Sequence, residues 1–504
     1  MNPVPDIFRI LPEVVLALTG VAVMLIDATL PVGFPRRYLI WIAAPGTTLA
    51  LWASVLQLYW PAGTGFFGTV ETSAFTIFFH LLICGIVLVT LLLSYDTLPE
   101  DSHHQGEFYA LIVFGAVGMC LLTSAVELLL VFVALEISSI STYILAGYRK
   151  NTSRGPEAAI KYFLLGSFAT GFLLYGVALI FGATGTTQIY EIARLAPIAQ
   201  NHSFILAGLA LMLVGILFKV SAAPFHVWTP DVYEGAPSPV VALLSTAPKA
   251  AAFALLLRVV YEMFPTLHGL WAPLLWIVAV LSMTVGNLAA LRQQNVKRML
   301  AYSAIAHAGY LLAAFAGQGN LGIAAASFYI AAYAAMNVGV FAVITLVSGY
   351  DEKLPMIDDY RGLIYRSPLL GSLLIFFLIS LVGIPFTGGF FGKFYSFSAA
   401  VDGGAVALAI IGLLNSGLAA AYYLRLALAA AQQPENNNAE TSALAPQVGI
   451  AVGAALLLAA GATLVLGIAP SEVLRGAEAG AHTLQAPPID ASTPAISVAQ
   501  ESKQ

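Results

Sequence analysis

Residues 203–234, SFILAGLALMLVGILFKVSAAPFHVWTPDVYE, make one apolar run with Lys219 in its most apolar part and Pro224 near its middle. A membrane-spanning helix needs about 20 residues, and an interior proline removes a backbone hydrogen bond and clashes with the preceding turn. The run is therefore predicted to be a broken span. Residues 368–400, PLLGSLLIFFLISLVGIPFTGGFFGKFYSFSAA, repeat the arrangement, with Pro385 at the middle and Lys393 just beyond it. A third lysine, Lys249, sits in LLSTAPKAAAF at 243–253. A charged lysine at the bilayer centre costs about 2.5–3.5 kcal/mol even on insertion scales, so three cost about 8–10 kcal/mol together. Placement this unfavourable calls for a functional reason.

Working outward, the composition fixes the solvent. Of 504 residues 59% are hydrophobic and 9% charged, and the mean hydropathy is +0.87, against about 25% charged residues in soluble proteins. This is an integral membrane protein. Apolar runs lie near 10–30, 39–60, 75–95, 107–124, 127–148, 159–182, 203–234, 238–262, 270–291, 298–316, 322–349, 368–400, 405–431 and 447–468. The expected fold is an all-α polytopic membrane protein with about 14 transmembrane helices, of which helices 7 and 12 are discontinuous. The first run, in MNPVPDIFRILPEVVLALTGVAVMLID, has neither a basic stretch before it nor a small-residue cleavage site after it, and reads as a span rather than a secretory signal. A net charge of −5 with no block of Lys or Arg gives nucleic-acid binding no support. Cys84 and Cys120 lie inside apolar runs and read as buried thiols, and no His or Cys pair has metal-ligand spacing.

Basic residues are retained on the cytoplasmic side of short connectors. With the N-terminus outside, that side receives Arg36, Arg37, Arg149, Lys150, Arg154, Arg292, Lys297, Arg298, Lys353, Arg361 and Arg366. The other side receives Arg9, Arg194 and Arg475, although the connectors at 96–106 and 432–445, assigned inside, hold no Lys or Arg. Both termini are thus expected outside. AAPFH at 222–226 and GIPFT at 383–387 share a small residue, Pro-Phe and a polar side chain, at the fourth spans of two consecutive five-span blocks. An odd block size makes the second block run opposite to the first, and inverted repeats with discontinuous helices are a transporter architecture. The division expected is a three-span segment at 1–106, a first five-helix repeat at 107–265, an inverted second repeat at 266–431, a last span with its connector at 432–468, and a loose Ala/Pro/Ser-rich tail at 469–504.

Other ionisable groups lie before and between the three lysines: Glu136 at mid-span in LLLVFVALEISSISTYIL, Lys161 early in the next run, His226 near Pro224, and His307 in YSAIAHAGY. Burial disfavours an ammonium, so a desolvated lysine can bind and release protons nearer neutral pH. A carboxylate close by favours the ammonium, so separating Glu136 from Lys219 would promote proton release. Histidines can relay between lysines too far apart for direct transfer. Each group has a plainer reading as a structural ion pair, a snorkelling chain or a satisfied core histidine. Lys161 can reach the interface, Arg258 and Arg425 near span ends read as snorkelling, and Glu127 reads as an N-terminal helix charge.

ELLLVFVALEISSISTYILAG, FKVSAAPFHVWTPDVYEGAPSPVVALLSTAPKAAAF, NVKRMLAYSAIAHAGY and GIPFTGGFFGKFY, in this order and spacing, closely resemble the antiporter-like membrane subunits of respiratory complex I, the N-type subunits of bacterial NADH-quinone oxidoreductase in particular. The resemblance covers nearly all of residues 1–470. It implies Glu136 and Lys219 as the charge pair of the fifth and seventh spans, Lys249 as the central lysine of the eighth, and Lys393 as the lysine of the twelfth. It further implies His226 and His307 as relays and Lys161 as an additional sixth-span lysine. Lysine at 393 argues against the M-type sister, and the lack of a long lateral helix argues against the L-type. The implied function is proton translocation in a bacterial inner-membrane complex, alongside other membrane-arm subunits, with both termini periplasmic. No cofactor is expected in this chain: NADH, FMN, iron–sulfur clusters and quinone belong to partner subunits, since the sequence has no Cys cluster and no dinucleotide-binding Gly-rich turn. The nearest rival is a subunit of a cation/proton antiporter or membrane-bound hydrogenase of the same fold, where carboxylates rather than lysines should line the path. A passive scaffold held together by its charges is the third possibility.

Overall fold

The structure, a computed structural model, describes residues 5–31, 33–96, 98, 105–317, 319–433 and 448–485. Among these, thirteen helices are long and apolar enough to cross a membrane, from Leu11–Thr29 to Ile450–Ile468. A fourteenth crossing is divided in two, Pro368–Val382 and Gly388–Asp402. They are numbered here as spans 1–14 in chain order, the divided one being span 12. The only sheet among the described residues is a hairpin between spans 2 and 3, Gly63–Gly65 paired antiparallel with Val70–Thr72.

Local chemistry sets several helix starts. Ser73 and Thr76 form a reciprocal cap on span 3 (Ala74–Tyr95). Glu127 accepts from the amides of Leu129 and Leu130 at 3.0 and 2.8 Å, capping span 5 (Leu128–Ala146) as its position suggested. Without a hydrophobic force between helices in lipid, close approach relies on small residues. A Cβ on Gly118 of span 4 (Gln105–Ser124) would meet Ser138 N at 2.5 Å, and one on Gly286 of span 9 (Pro265–Leu291) would meet Ala306 N at 2.6 Å. The span 4–5 and 9–10 pairs therefore pack backbone to backbone at corresponding places in the two proposed blocks.

Burial identifies the centre of the bundle. The most apolar stretch of span 8 (Ser238–Met263) is 100% buried, against 33% for span 1 and 39% for span 6 (Arg154–Thr184). Span 10 (Val296–Ala316) and span 11 (Asn320–Ser348) are nearly as enclosed as span 8.

The helix of span 7 stops at Lys219 and resumes at Thr229–Gly235. Between them Ser221 has φ +63° and the Ala223–Pro224 peptide is cis. The freed backbone groups find partners: Ala223 N donates to Ser282 Oγ at 2.8 Å, and Trp228 Nε1 donates to Phe218 O at 3.1 Å. Span 12 is interrupted over 383–387, around Pro385. Span 8 carries a break that the sequence pattern does not announce, between Ser238–Leu244 and Ala247–Leu257, after which it ends in a wide π turn at Arg258–Met263.

The tail expected to be loose from 469 onward is instead a helix over Pro470–Gln485. Its scarcity of large apolar side chains hid it, because the buried face is made mainly of small residues: Ala477, Gly480, Ala481 and Leu484. Pro470 starts it, as proline at a first helical position can. The amide of Phe75 donates to Thr483 Oγ1 at 3.2 Å, fixing the helix to the start of span 3. The remainder of the tail, 486–504, and most of the polar connector at 432–443 lie outside the described residues.

Candidate functional site

Lys219 is the last residue of its helix segment, where a cation is favoured by the carbonyl end of the helix dipole. It is buried, donates to Ser139 Oγ at 2.9 Å and Tyr162 Oη at 3.4 Å, and lies 5.6 and 5.5 Å from the ring centres of Tyr143 and Tyr162. Such ring faces are worth about 0.5–2 kcal/mol each to a cation as it is desolvated. Glu136 lies one turn before Ser139 on span 5, yet no oxygen of it comes within 4 Å of the lysine among the described contacts. Its Oε1 is buried with no hydrogen-bond partner. Lys219 thus binds span 5 one turn from Glu136 without pairing with it.

Lys161 stands apart from the buried line. Its side chain is 41% exposed and pairs with Asp231 at 2.6 Å and Glu157 at 2.7 Å. Asp231 also binds Arg298 at 2.7 Å, and Glu234 binds Arg298 and Arg154 at 2.9 and 3.2 Å. Nearby, Glu352 joins Arg149 at 2.9 Å to Lys297 at 2.6 Å. Arg149, Arg154, Lys297 and Arg298, assigned to one face of the membrane by the connector charges, therefore meet at one end of the bundle. His226 is half-buried in the span 7 break, its Nδ1 has no partner, and none of its described hydrogen bonds reaches a lysine.

The other half is linked through packed aromatic rings. The span 8 break places Lys249 in the first turn of the second segment, where its Nζ donates to Ala304 O of span 10 at 2.9 Å and faces the Tyr333 ring at 5.5 Å. One turn on from Ala304 lies His307, fully buried. Its Nδ1 is 3.0 Å from Tyr329 Oη and its Nε2 3.1 Å from Tyr423 Oη, so one hydroxyl donates and the other accepts, whichever tautomer is present. Tyr423 Oη is also hydrogen-bonded to Ser303. Tyr310 packs edge-on to His307 at 5.5 Å and turns its face to Lys393, whose Nζ lies 5.1 Å from the ring centre. Lys393 donates to Leu381 O, Val382 O and Ser416 Oγ at 3.0, 2.7 and 2.8 Å, so the second segment of span 12 supplies the donor that satisfies the carbonyls ending the first. A cleft of about 410 Å³, lined in part by Gly383, Asp402 and Ser416, reaches Lys393.

Sequence reasoning missed the aromatic and hydroxyl members of this array: Tyr310, Tyr329, Tyr333, Tyr423, Ser303 and Ser416. The doublet Tyr422–Tyr423 inside an apolar run and Tyr310 one turn beyond His307 were the available signals. Arg258 is a correction. Expected to snorkel, it is 1% exposed and bound to Glu71 at 2.7 Å, Glu262 at 2.6 Å and Thr123 O at 3.2 Å. Glu71 comes from the hairpin, far away in sequence. Arg425 does reach carbonyls near a span end, donating to Leu291 O at 3.2 Å.

Comparison with known proteins identifies the family and the fold. Residues 125–419 match the family model described as "NADH:quinone oxidoreductase/Mrp antiporter, TM". The NADH-quinone oxidoreductase subunit N 2 of Koribacter versatilis is 48% identical, covering 96% of this chain and 98% of its own. A chain of respiratory complex I from Thermus thermophilus with bound aureothin superposes with a TM-score of 0.79 at 37% identity, over 93% of this chain and all of its own. A chain of the membrane-bound sulfane sulfur reductase, an archaeal respiratory membrane complex, gives a TM-score of 0.83 at 25% identity, over 95% of this chain and 97% of its own. The chain is a multi-pass membrane protein and belongs to the NADH:quinone oxidoreductase/Mrp antiporter transmembrane family.

Proposed function

We infer that the chain is a proton-translocating membrane-arm subunit of an NADH:quinone oxidoreductase, working beside other membrane-arm subunits. The observation that carries this reading is the buried succession Lys249, His307 and Lys393 at the centre of the bundle, in which the Tyr333 ring lies between Lys249 and His307 and the Tyr310 ring between His307 and Lys393. A buried ionisable residue in a membrane is a functional-site hypothesis by default, and here three succeed one another across shared aromatic rings.

On this reading Lys249 exchanges protons with His307, and His307 with Lys393, each transfer moving one proton and leaving a neutral donor. Glu136 controls Lys219, His226 relays between Lys219 and Lys249 when water or movement bridges the gap, and Lys161 feeds or tunes the line from the basic end. Redox chemistry belongs to partner subunits, which hold NADH, FMN, iron–sulfur clusters and quinone. The two five-span blocks are inverted repeats, the membrane is the bacterial inner membrane, and both termini are periplasmic. The close packing of Gly118 and Gly286 at corresponding span pairs supports the repeat.

The rival is cation/proton exchange, supported by the family's antiporter branch. The central array speaks against it, because lysines cannot coordinate a cation. Lys249→Ala in the assembled complex is the test. Proton yield per NADH oxidised should fall about tenfold or more for a proton carrier that acts as acid and base, whereas unchanged pumping with normal assembly would establish a scaffold.

A further inference from the structure

Outside the lysine line, a second set of buried ionisable groups lies in the three N-terminal spans, which the proposed pathway leaves unused. Glu13 of span 1 and His80 of span 3 are 4% and 1% exposed. Glu13 Oε1 accepts from Ser124 Oγ at 3.0 Å and lies 3.4 Å from His80 Nε2, which is also 3.1 Å from Cys120 O. Nε2 facing a carbonyl and a carboxylate carries the proton, so Nδ1 keeps its lone pair. That Nδ1 and Glu13 Oε2 are both buried with no hydrogen-bond partner. Leaving two such atoms unpaired in a packed interior is costly and calls for an explanation.

The surroundings connect this pair to the surface. Arg258 donates to Thr123 O, next to Ser124, and binds both Glu262 and Glu71. Val70 bridges Ala125 in antiparallel fashion, which brings the Glu71 strand to the end of span 4, and Glu71 is 11% exposed. Against the carboxylates of Glu13, Glu71 and Glu262 stands one guanidinium, an excess of two negative charges when all are ionised and His80 is neutral. The thiols of Cys84 and Cys120 adjoin the pair, and Tyr190 adjoins Glu262. On the inner side, Ala247–Leu257, the segment bearing Lys249, packs against spans 3 and 4.

We propose that Glu13 and His80 form a proton-binding station that joins the central line to the face of the bundle carrying the N-terminus. The pair holds one transferable proton. His80 Nδ1 takes it with its lone pair to give imidazolium beside the Glu13 carboxylate, and transfer of the Nε2 proton to Oε1 gives neutral imidazole and a carboxylic acid. The proton then passes toward Glu71 and the surface. This station rests on the pathway reading, so its test runs beside that reading's own.

Glu13→Gln keeps shape and an oxygen for Ser124, and His80→Gln keeps an N–H toward Cys120 O, but neither amide titrates. In membranes containing the assembled complex, with uncoupled NADH oxidation as the measure of assembly, both should lower proton yield per NADH to the level of Lys249→Ala. A yield equal to the unaltered complex in both, while Lys249→Ala lowers it, overturns the station alone. A loss in Glu13→Gln and His80→Gln with none in Lys249→Ala keeps the station and overturns the lysine route. Ser124→Ala, a smaller change that removes one hydrogen bond from Oε1, serves where either glutamine variant does not assemble: it should slow pumping a few-fold, and an unchanged rate overturns the proposal.

Discussion

The lysines at the two helix breaks are solvated in different ways. Lys393 has three acceptors, two of them carbonyls that its own broken helix leaves free, and is linked to His307 through the face and edge of Tyr310. Lys219 has two hydroxyls and two ring faces, with Glu136 near but unpaired and no described hydrogen bond leading on to Lys249. In the half containing Lys393 each ionisable group shares an aromatic ring with the next, Tyr333 and then Tyr310, with no described hydrogen bond joining them. In the half containing Lys219 no described ring or hydrogen bond leads on to Lys249, and on the proposed pathway a proton needs water or a change of conformation to cross. On the proposed pathway the two halves do different work: a prepacked wire on one side, a gate that a carboxylate can open or close on the other.

The strongest way to break this contrast, after Lys249→Ala, is His307→Ala. It removes one hydrogen bond from each of two tyrosine hydroxyls, leaving Tyr423 with Ser303, and that loss adds to the loss of the relay itself. Proton yield should fall about as far as in Lys249→Ala, by about tenfold or more. A His307 variant pumping normally would mean that the wire is only packing. Glu136→Gln should come next. If the gate works by charge, pumping falls several-fold while assembly is kept, because no described ion pair is lost. An effect equal to that of Glu136→Ala would point to charge, and a much smaller one to volume. Tyr423→Phe removes a hydroxyl shared by Ser303 and His307, so a lesser drop is expected, with the His307–Tyr329 bond still in place.

How far the sequence reveals this arrangement depends on the range of the interactions. The break in span 12 can be read from Pro385 and its glycines, because proline acts on its own turn. The break in span 8 was missed although Pro248, which supplies no N–H to the preceding turn, lies just after it; Ser245 and Thr246 there bond back to Ala242 O, and Asn337 Nδ2 reaches Ser245 Oγ from across the bundle at 2.6 Å. Arg258 was misjudged for a similar reason. Glu262 lies only four positions on, but Glu71 sits on a hairpin 187 positions away, and without it the arginine looks bound for the interface. The Pro470–Gln485 helix was missed because its buried face is mostly alanine and glycine, which composition counts as loose. The lysines themselves were legible because nothing in a lipid-facing sequence excuses them, whereas the tyrosines joining them were hidden among ordinary apolar residues.

Lys161 gives the smallest expected effect and the finest division between the halves. It projects from a span whose most apolar stretch is mostly unburied, at the end where Asp231, Arg298 and Glu234 gather. Exposed ion pairs contribute little, because water competes for both charges. Asp231 would keep Arg298 if Lys161 were lost, and Glu157 would regain its hydration. Lys161→Gln should therefore leave assembly intact and alter proton yield by less than about twofold, the change being larger at low ionic strength, where the remaining charges act over a longer distance. A loss as deep as that of Lys249→Ala, insensitive to salt, would place Lys161 on the route itself and make the gate half a continuous path from the basic end. A slight, salt-dependent loss would leave it as an electrostatic influence on protons that travel by way of Lys219.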